Sequence, residues 1–382
     1  MKKILIFLIL SIFFSNNLMV FAGPSKRIGA TMFYDPINEC MLLFGGAQSG
    51  ATDYNRFNDL WKYDYSTDTW TEINLSTKPS GRFNTPAAYE SENNQLIIYG
   101  GESTDSEPQM WAFSLEDYSW RRLHPTNMPS PGRCNTPLGY DEKSKKIIMF
   151  GGMGYDGSFP SDTWVYDAAG NSWTRMAPNG SPHGRYGHAL FYDPVNEAVL
   201  MFGGHWFEGS NEGFCPDLWK YDYGSNSWTL LEENLPLSAQ FWHSYSASSL
   251  DGVCTIFGGT NGHELFDETW IYSEGEFTQI APASHPSTRI LAAMAYDSVN
   301  NVTLLFGGLD YAAGDSADLW ALKENGAWVK LAGAGTQTEE THPVPPETNT
   351  TSSGIPGFPV TSVLLGLLII PIILRYRKHA HI

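Results

Sequence analysis

A pair of glycines returns six times along this chain, beginning at Gly45, Gly100, Gly151, Gly203, Gly258 and Gly307, in steps of 55, 51, 52, 55 and 49 residues. A period near fifty marks a repeat architecture and constrains the fold more than any single motif could. Each pair ends a short apolar run, as Ala198-Val199-Leu200-Met201-Phe202 ends at Gly203-Gly204. Such a run is a strand buried on both faces, stopped where the backbone needs the freedom of glycine. Upstream, His188 to Tyr192 alternates and leads into Asp193-Pro194-Val195-Asn196, a type I turn signature, so the two runs form a hairpin. Downstream, Asp217 to Asp222 and Ser227 to Leu230 supply two more strands. Each unit is therefore one sheet of four antiparallel strands.

Later landmarks recur with the same period. Trp61, Trp111, Trp164, Trp219, Trp270 and Trp320 mark the third strand, and Trp70, Trp120, Trp173, Trp228, Phe277 and Trp328 mark the fourth. A lone sheet with two apolar faces cannot bury them, so the six units must stack, and radial stacking also protects their edges. Diglycine after a buried strand, then Trp-x-Tyr-Asp and a further Trp, resembles the kelch repeat, over roughly residues 25 to 331. The resemblance implies an all-β, six-bladed kelch-type β-propeller of four-stranded antiparallel blades. The fifth copy departs most, with Ser248-Ser249-Leu250-Asp251-Gly252 in place of the Tyr-Asp turn and Phe277 in place of Trp, but is still expected to be a blade. The first copy begins with its own inner strand, Ile28 to Tyr34, and the last ends with its own outer one. No strand exchange between the termini is expected, and closure rests on blade one packing against blade six.

The flanks address the protein to a membrane. Residues 1–22 have the layout of a signal peptide: Lys2-Lys3, an apolar run from Ile4 to Phe14, and small residues Val20 and Ala22. After the propeller (23–331), residues 332–357 form a Thr/Pro/Glu-rich stalk. Residues 358–374 read as a short C-terminal membrane helix and 375–382 as a basic cytoplasmic tail. Pro356, Gly357 and Phe358, followed by an apolar helix and a basic end, also resemble the PGF carboxy-terminal sorting signal of archaeal surface proteins. That resemblance implies cleavage near the tripeptide and a lipid anchor in place of the helix. The net charge is −18, and neither the first 22 residues nor those from Phe358 onward contribute an acid. Nucleic acid is excluded as a partner, since binding it requires a basic footprint. Cys40, Cys134, Cys215 and Cys254 fall in four different repeats without metal spacing; buried free thiols are expected, with Cys215 set apart in a loop. Asn74, Asn179, Asn301 and Asn349 open Asn-x-Ser/Thr sequons.

Residues that recur in every unit are first of all structural. The acid two before the third-strand tryptophan, at Asp59, Asp162, Asp217, Glu268 and Asp318, is expected to satisfy loop backbone donors. An arginine opens the inner strand at Arg27, Arg82, Arg133, Arg185 and Arg289. The kelch resemblance implies that these side chains ring the channel mouth on the face carrying the loops after the diglycines, suited to carboxylate or sulfate; the bland alternative is that they pair with blade acids. Departures from the repeat are better candidates. Eleven of thirteen tryptophans occupy repeated positions; the others are Trp206, beside His205 and Phe207, and Trp242, beside Phe241 and His243, where Gln240 replaces the arginine. On adjacent blades of one face these aromatics would form a platform for a sugar or peptide.

The expected function is a cell-surface, membrane-anchored binding module that recognises an extracellular protein, peptide or glycan through the propeller mouth. The propeller is expected to be monomeric, and no cofactor is called for. The alternative is a secreted carbohydrate-active enzyme of the copper radical oxidase or sugar mutarotase type. It would need His188, His205, His243 and Cys215 to converge, or the mouth arginines to act with an acid such as Glu208.

Overall fold

The computed structural model describes residues 23–333, except 52, 106, 209, 210, 239, 240, 249 and 250. The signal peptide, nearly all of the stalk, the apolar and basic end with Pro356-Gly357-Phe358, and Gln240 lie outside the described residues. Six four-stranded antiparallel sheets follow one another along the chain. In the first blade the strands are Thr31–Asp35, Cys40–Phe44, Leu60–Asp64 and Thr69–Glu72, in spatial order from the axis outward. In the sixth they are Ala293–Asp297, Val302–Phe306, Leu319–Lys323 and Trp328–Lys330. Blade five is complete despite its departures, with strands from Ser244–Ala247 to Glu276–Ile280. Inner strands of successive blades stand side by side around a central channel, and the inner strand of blade one lies against that of blade six.

The second strand of each blade is buried along its whole length or nearly so, as its unbroken apolar run requires. Among the described residues, six apolar clusters occupy the six joints between blades. Every joint contains the same contact: the fourth-strand aromatic meets the last aromatic of the preceding blade's second strand. The pairs are Trp120 on Phe44, Trp173 on Tyr99, Trp228 on Phe150, Phe277 on Phe202, Trp328 on Phe257 and Trp70 on Phe306, with centroids 4.9 to 5.7 Å apart. Aromatic pairs of this geometry add about 0.5–1.5 kcal/mol to what their burial contributes. The third-strand tryptophans are only half-buried apart from Trp164, and most donate their indole N–H to the residue two before them.

The joint from blade six to blade one closes without strand exchange, as expected. Met41, Leu43 and Trp70 pack with Leu304, Phe306 and Leu319. The chain leaving the last strand then crosses the start of blade one's outer strand, where the Asp68 carboxylate accepts the backbone N–H groups of Ala332 and Gly333. The internal joints are built alike: Asn171 and Asn226, at the position of Asp68, reach the carbonyls of His124 and Ala177 behind them.

One expectation needs correcting. The inner strand does not run unbroken from Ile28. Ile28 pairs with Ala47 across the diglycine loop, Gly29 adopts φ +58°, and the strand proper starts at Thr31. The fully buried Trp173 should lose about 3–5 kcal/mol of stability on replacement by Ala, through lost burial and a cavity. The half-exposed Trp61 should lose less, and urea unfolding of both variants checks the order.

Candidate functional site

At one end of the channel lie the loops that follow the diglycines. Here the repeated residues Gly29, Asn84, Asn135, Gly187, Trp242 and Leu291 all have φ between +48° and +65°. Their backbones form a closed circle of hydrogen bonds. Asn84 N–H donates to the Gly29 carbonyl, Asn135 to Asn84, Gly187 to Asn135, Trp242 to Gly187, Leu291 to Trp242, and Gly29 to Leu291, at 2.8 to 3.4 Å. Directly above, Ile28, Phe83, Cys134, Tyr186, Phe241 and Ile290, one from each blade, belong to a single buried apolar cluster. This end is a crown of packed side chains around a backbone hoop.

The arginines build that crown and do not face a ligand. All five are at most 2% exposed. In each, Nη1 donates to the carbonyl of the first diglycine residue of its own blade: Gly45, Gly100, Gly151, Gly203 or Gly307. Arg27 also grips Asp59 through two bonds of 2.8 and 2.9 Å, and Arg133 and Arg185 hold Asp162 and Asp217 in the same way. Arg82 turns instead to Asp105, because Gln109 stands where other blades have the acid. The expected ring of free guanidiniums is thus corrected: glycine carbonyls engage all five, acids also engage Arg27, Arg82, Arg133 and Arg185, and Ser287 engages Arg289. Asp59, Asp162 and Asp217 bind arginine and indole N–H groups, Glu268 binds the Trp270 indole and Ser238, and Asp318 pairs with Lys330, whereas loop backbone donors were expected.

The aromatic platform is corrected in the same way. Trp242, Phe241, His243 and His205 are 7%, 0%, 7% and 5% exposed. The Trp242 indole lies over Gly187, where a Cβ would come within 2.7 Å of its ring, so a bare glycine in one blade makes room for the tryptophan of the next. Trp206 and Phe207 are half-buried on the ladder His205–Glu208/Asn211–Phe214. Trp206 stacks on His183 at 5.4 Å, and Phe207 stacks on Phe159 at 4.8 Å. These rings hold the long blade-four loop against its neighbours. Cys215, expected to stand apart, is buried like the other three thiols; burial pushes its pKa up to about 12. Among the described residues no three His, Cys, Asp or Glu side chains gather as a metal site.

The other end of the channel is where the inner hairpins turn. Here the channel encloses about 560 Å³, within the range of about 300–1,000 Å³ common for ligand pockets. Small residues such as Ala88, Gly139, Ser246 and Ala293 line its wall, and five tyrosines, Tyr34, Tyr89, Tyr140, Tyr192 and Tyr296, surround the mouth. All five come from the Tyr-Asp or Tyr-Glu pair that ends each inner strand; blade five has Ala247 and leaves a gap. The following acid caps its own turn, as the Asp35 carboxylate accepts N–H groups from Ile37 and Asn38. On the rim Ile37, Val195 and Val299 are 46%, 64% and 58% exposed. The sequence signal for this site was present in the alternating Tyr-Asp dipeptides, but it served first as evidence for hairpins.

His188 and His243 occupy the repeat position held elsewhere by Ala30, Thr85, Thr136 and Ala292, and both are buried between blades. His243 stacks flat on Phe202 at 4.8 Å, and neither of its ring nitrogens has a hydrogen-bond partner. Burial lowers its pKa to about 4; His188 is pushed well below the ordinary value by burial, then by Arg185 and His243. Between about pH 6.5 and 4 the unfolded chain therefore binds a proton that the fold rejects, so stability is full above that window and lost as pH falls through it. His243 alone should account for about 3 kcal/mol by pH 4. Urea unfolding of wild type and His243→Phe at pH 7 and pH 4 should show the variant losing less by that amount.

Comparison with known proteins agrees with this architecture. Residues 41–274 match the model of the Attractin/LZTR1 beta-propeller. Similar proteins include Multiple epidermal growth factor-like domains protein 8 of Mus musculus, 21% identical over 267 residues, or 67% of this chain and 9% of that protein. The Homo sapiens protein of the same name is 25% identical over 314 residues, 74% of this chain and 10% of that protein. Tip elongation aberrant protein 1 of Schizosaccharomyces pombe is 28% identical over 195 residues, 48% of this chain and 16% of that protein. The chain spans about a tenth of the length of the first two. Six blades joined by one repeated contact, and a family match over most of the propeller, make the chain a member of the attractin/LZTR1 β-propeller family.

Proposed function

We propose that this protein is a cell-surface interaction module that takes a partner protein at the hairpin-side mouth of its channel. The observation that carries the reading is the mouth itself: a tyrosine-lined hollow whose rim exposes Ile37, Val195 and Val299. Exposed apolar groups around a concave centre are the usual makings of a docking surface. Membership of a propeller family that generally mediates protein interactions supports it. So do the signal-like start, the stalk and the apolar, basic-ended C-terminus, which would display the propeller outside the cell on a membrane helix or lipid anchor. No observation favours the oxidase or mutarotase alternative, since Arg27 and its counterparts are engaged within their blades.

Two measurements test the reading. Protease added to intact cells should release a fragment containing the propeller, cut within residues 332–357; a protected propeller would overturn the outward display. The full chain with Ile37, Val195 and Val299 all changed to Asp should keep its unfolding midpoint, because exposed positions cost within about 0.5 kcal/mol each. On a peptide array it should lose at least tenfold of the binding shown by wild type. Undiminished binding would move the interaction off this mouth.

A further inference from the structure

Resting on that reading, the geometry points to a specific ligand class: the tyrosine ring accepts a cationic side chain, lysine or arginine, presented by a basic segment of the partner protein. Tyr34, Tyr89, Tyr140, Tyr192 and Tyr296 converge on one hollow, and all but the buried Tyr140 are partly exposed there. Two hydroxyls are already spent on their own hairpins: Tyr89 donates to Asn94 at 3.0 Å and Tyr296 to Asn301 at 2.7 Å. What those two residues leave for a ligand, and what all five share, is the ring, and the negative face of an aromatic ring attracts cations.

The surrounding charge is mainly negative, and the two nearby lysines, Lys143 and Lys145, are each paired with a glutamate. Each tyrosine has a carboxylate as neighbour: Asp297 beside Tyr34, Asp35 beside Tyr89, Glu90 beside Tyr140, Asp141 beside Tyr192 and Asp251 beside Tyr296. Burial first and these carboxylates next raise all five phenol pKa values, so the rings stay neutral while the field around them is negative. Among the described residues that line the hollow, Glu142 is the one charged side chain, and no Lys or Arg is present to neutralise it from inside. At the rim the protein already shows this chemistry in itself. Lys145 bonds Glu142 at 3.0 Å with its ammonium 6.0 Å from the Tyr140 ring centre. An anionic ligand would find both nearby lysines, Lys145 and Lys143, already paired with Glu142 and Glu197, and a purely apolar one would leave the field unused.

The test uses the purified full chain and a labelled twelve-residue peptide of arginines spaced by Gly and Ser, followed by fluorescence anisotropy at 150 mM salt. Its control replaces each arginine by citrulline, which keeps the shape and removes the charge. The arginine peptide should bind at least tenfold more tightly than the citrulline one. Tyr89→Ala with Tyr192→Ala should weaken it at least fivefold, whereas Phe at both positions should keep it within twofold, because the ring remains. Ala247→Lys, which places an ammonium in the blade-five gap without touching a tyrosine, should weaken it at least tenfold while leaving the melting temperature unchanged, and so covers a failure of the Ala variants to fold. Equal binding of the citrulline peptide overturns the inference. So does arginine-peptide binding indifferent to the Tyr→Ala and Ala247→Lys changes, which would assign it to general surface acidity. Array ligands that depend on Ile37, Val195 and Val299 but carry no positive charge would leave the mouth as the interaction site and remove the cation from it.

Discussion

The molecule depends on one backbone hydrogen bond repeated around the ring. The N–H of the second diglycine residue donates to the carbonyl of the arginine that opens the next blade: Gly46 to Arg82, Gly101 to Arg133, Gly152 to Arg185, Gly259 to Arg289, and Gly308 back to Arg27, at 2.8 to 3.0 Å. That approach leaves no space for a side chain. A Cβ on the first glycine would stand 2.2 to 2.7 Å from the same carbonyl, and both glycines have positive φ. The arginine side chain meanwhile reaches back to the first glycine of its own blade. One residue therefore fastens two blades, by its carbonyl to the preceding one and by its guanidinium within its own. A buried guanidinium left without its acid, or the acid without it, is a costly state, typically about 3–5 kcal/mol, which is why the two travel together through most of the repeats.

This double use explains what could and could not be read from the sequence. The period, the doubly buried second strand, the hairpin turns and the closure of the ring follow from residue types whose local preference and global role agree. The arginines were legible as a repeat but not as to direction, because a guanidinium that points into a joint and one that points into a channel leave the same trace in a sequence. Trp242 misled for a similar reason. A tryptophan off the pattern looks available, yet it occupies the column of Gly29, Asn84, Asn135 and Gly187, residue types suited to left-handed backbone, and that column marks it as part of the hoop.

The two ends of the channel thus divide the work. The diglycine end holds the ring together and uses its polar groups internally. The hairpin end carries the residues that the joints do not need: tyrosines on the channel wall, small side chains behind them, and three aliphatic turn tips whose exposure no packing requirement explains. Blade five, poorest in repeat residues, supplies the gap in the tyrosine circle at Ala247 and the bulky Trp242 in the hoop. Its divergence therefore shapes both ends at once.

The seam between the last blade and the first also sets an order of events during synthesis. Trp70 is made early, and the Phe306 that covers it only when the ribosome has nearly finished the propeller. Until then Met41 and Leu43 lack the Leu304 and Leu319 that pack with them, and Asp68 lacks the two amides that it fixes at Ala332 and Gly333. A growing chain can complete each internal joint as the following blade emerges, but it carries an uncovered apolar flank from the first blade onward, the kind of surface on which nascent proteins aggregate. Premature termination anywhere before the sixth blade would leave that flank permanently open, so for this protein a truncated product is a sticky one as well as an incomplete one.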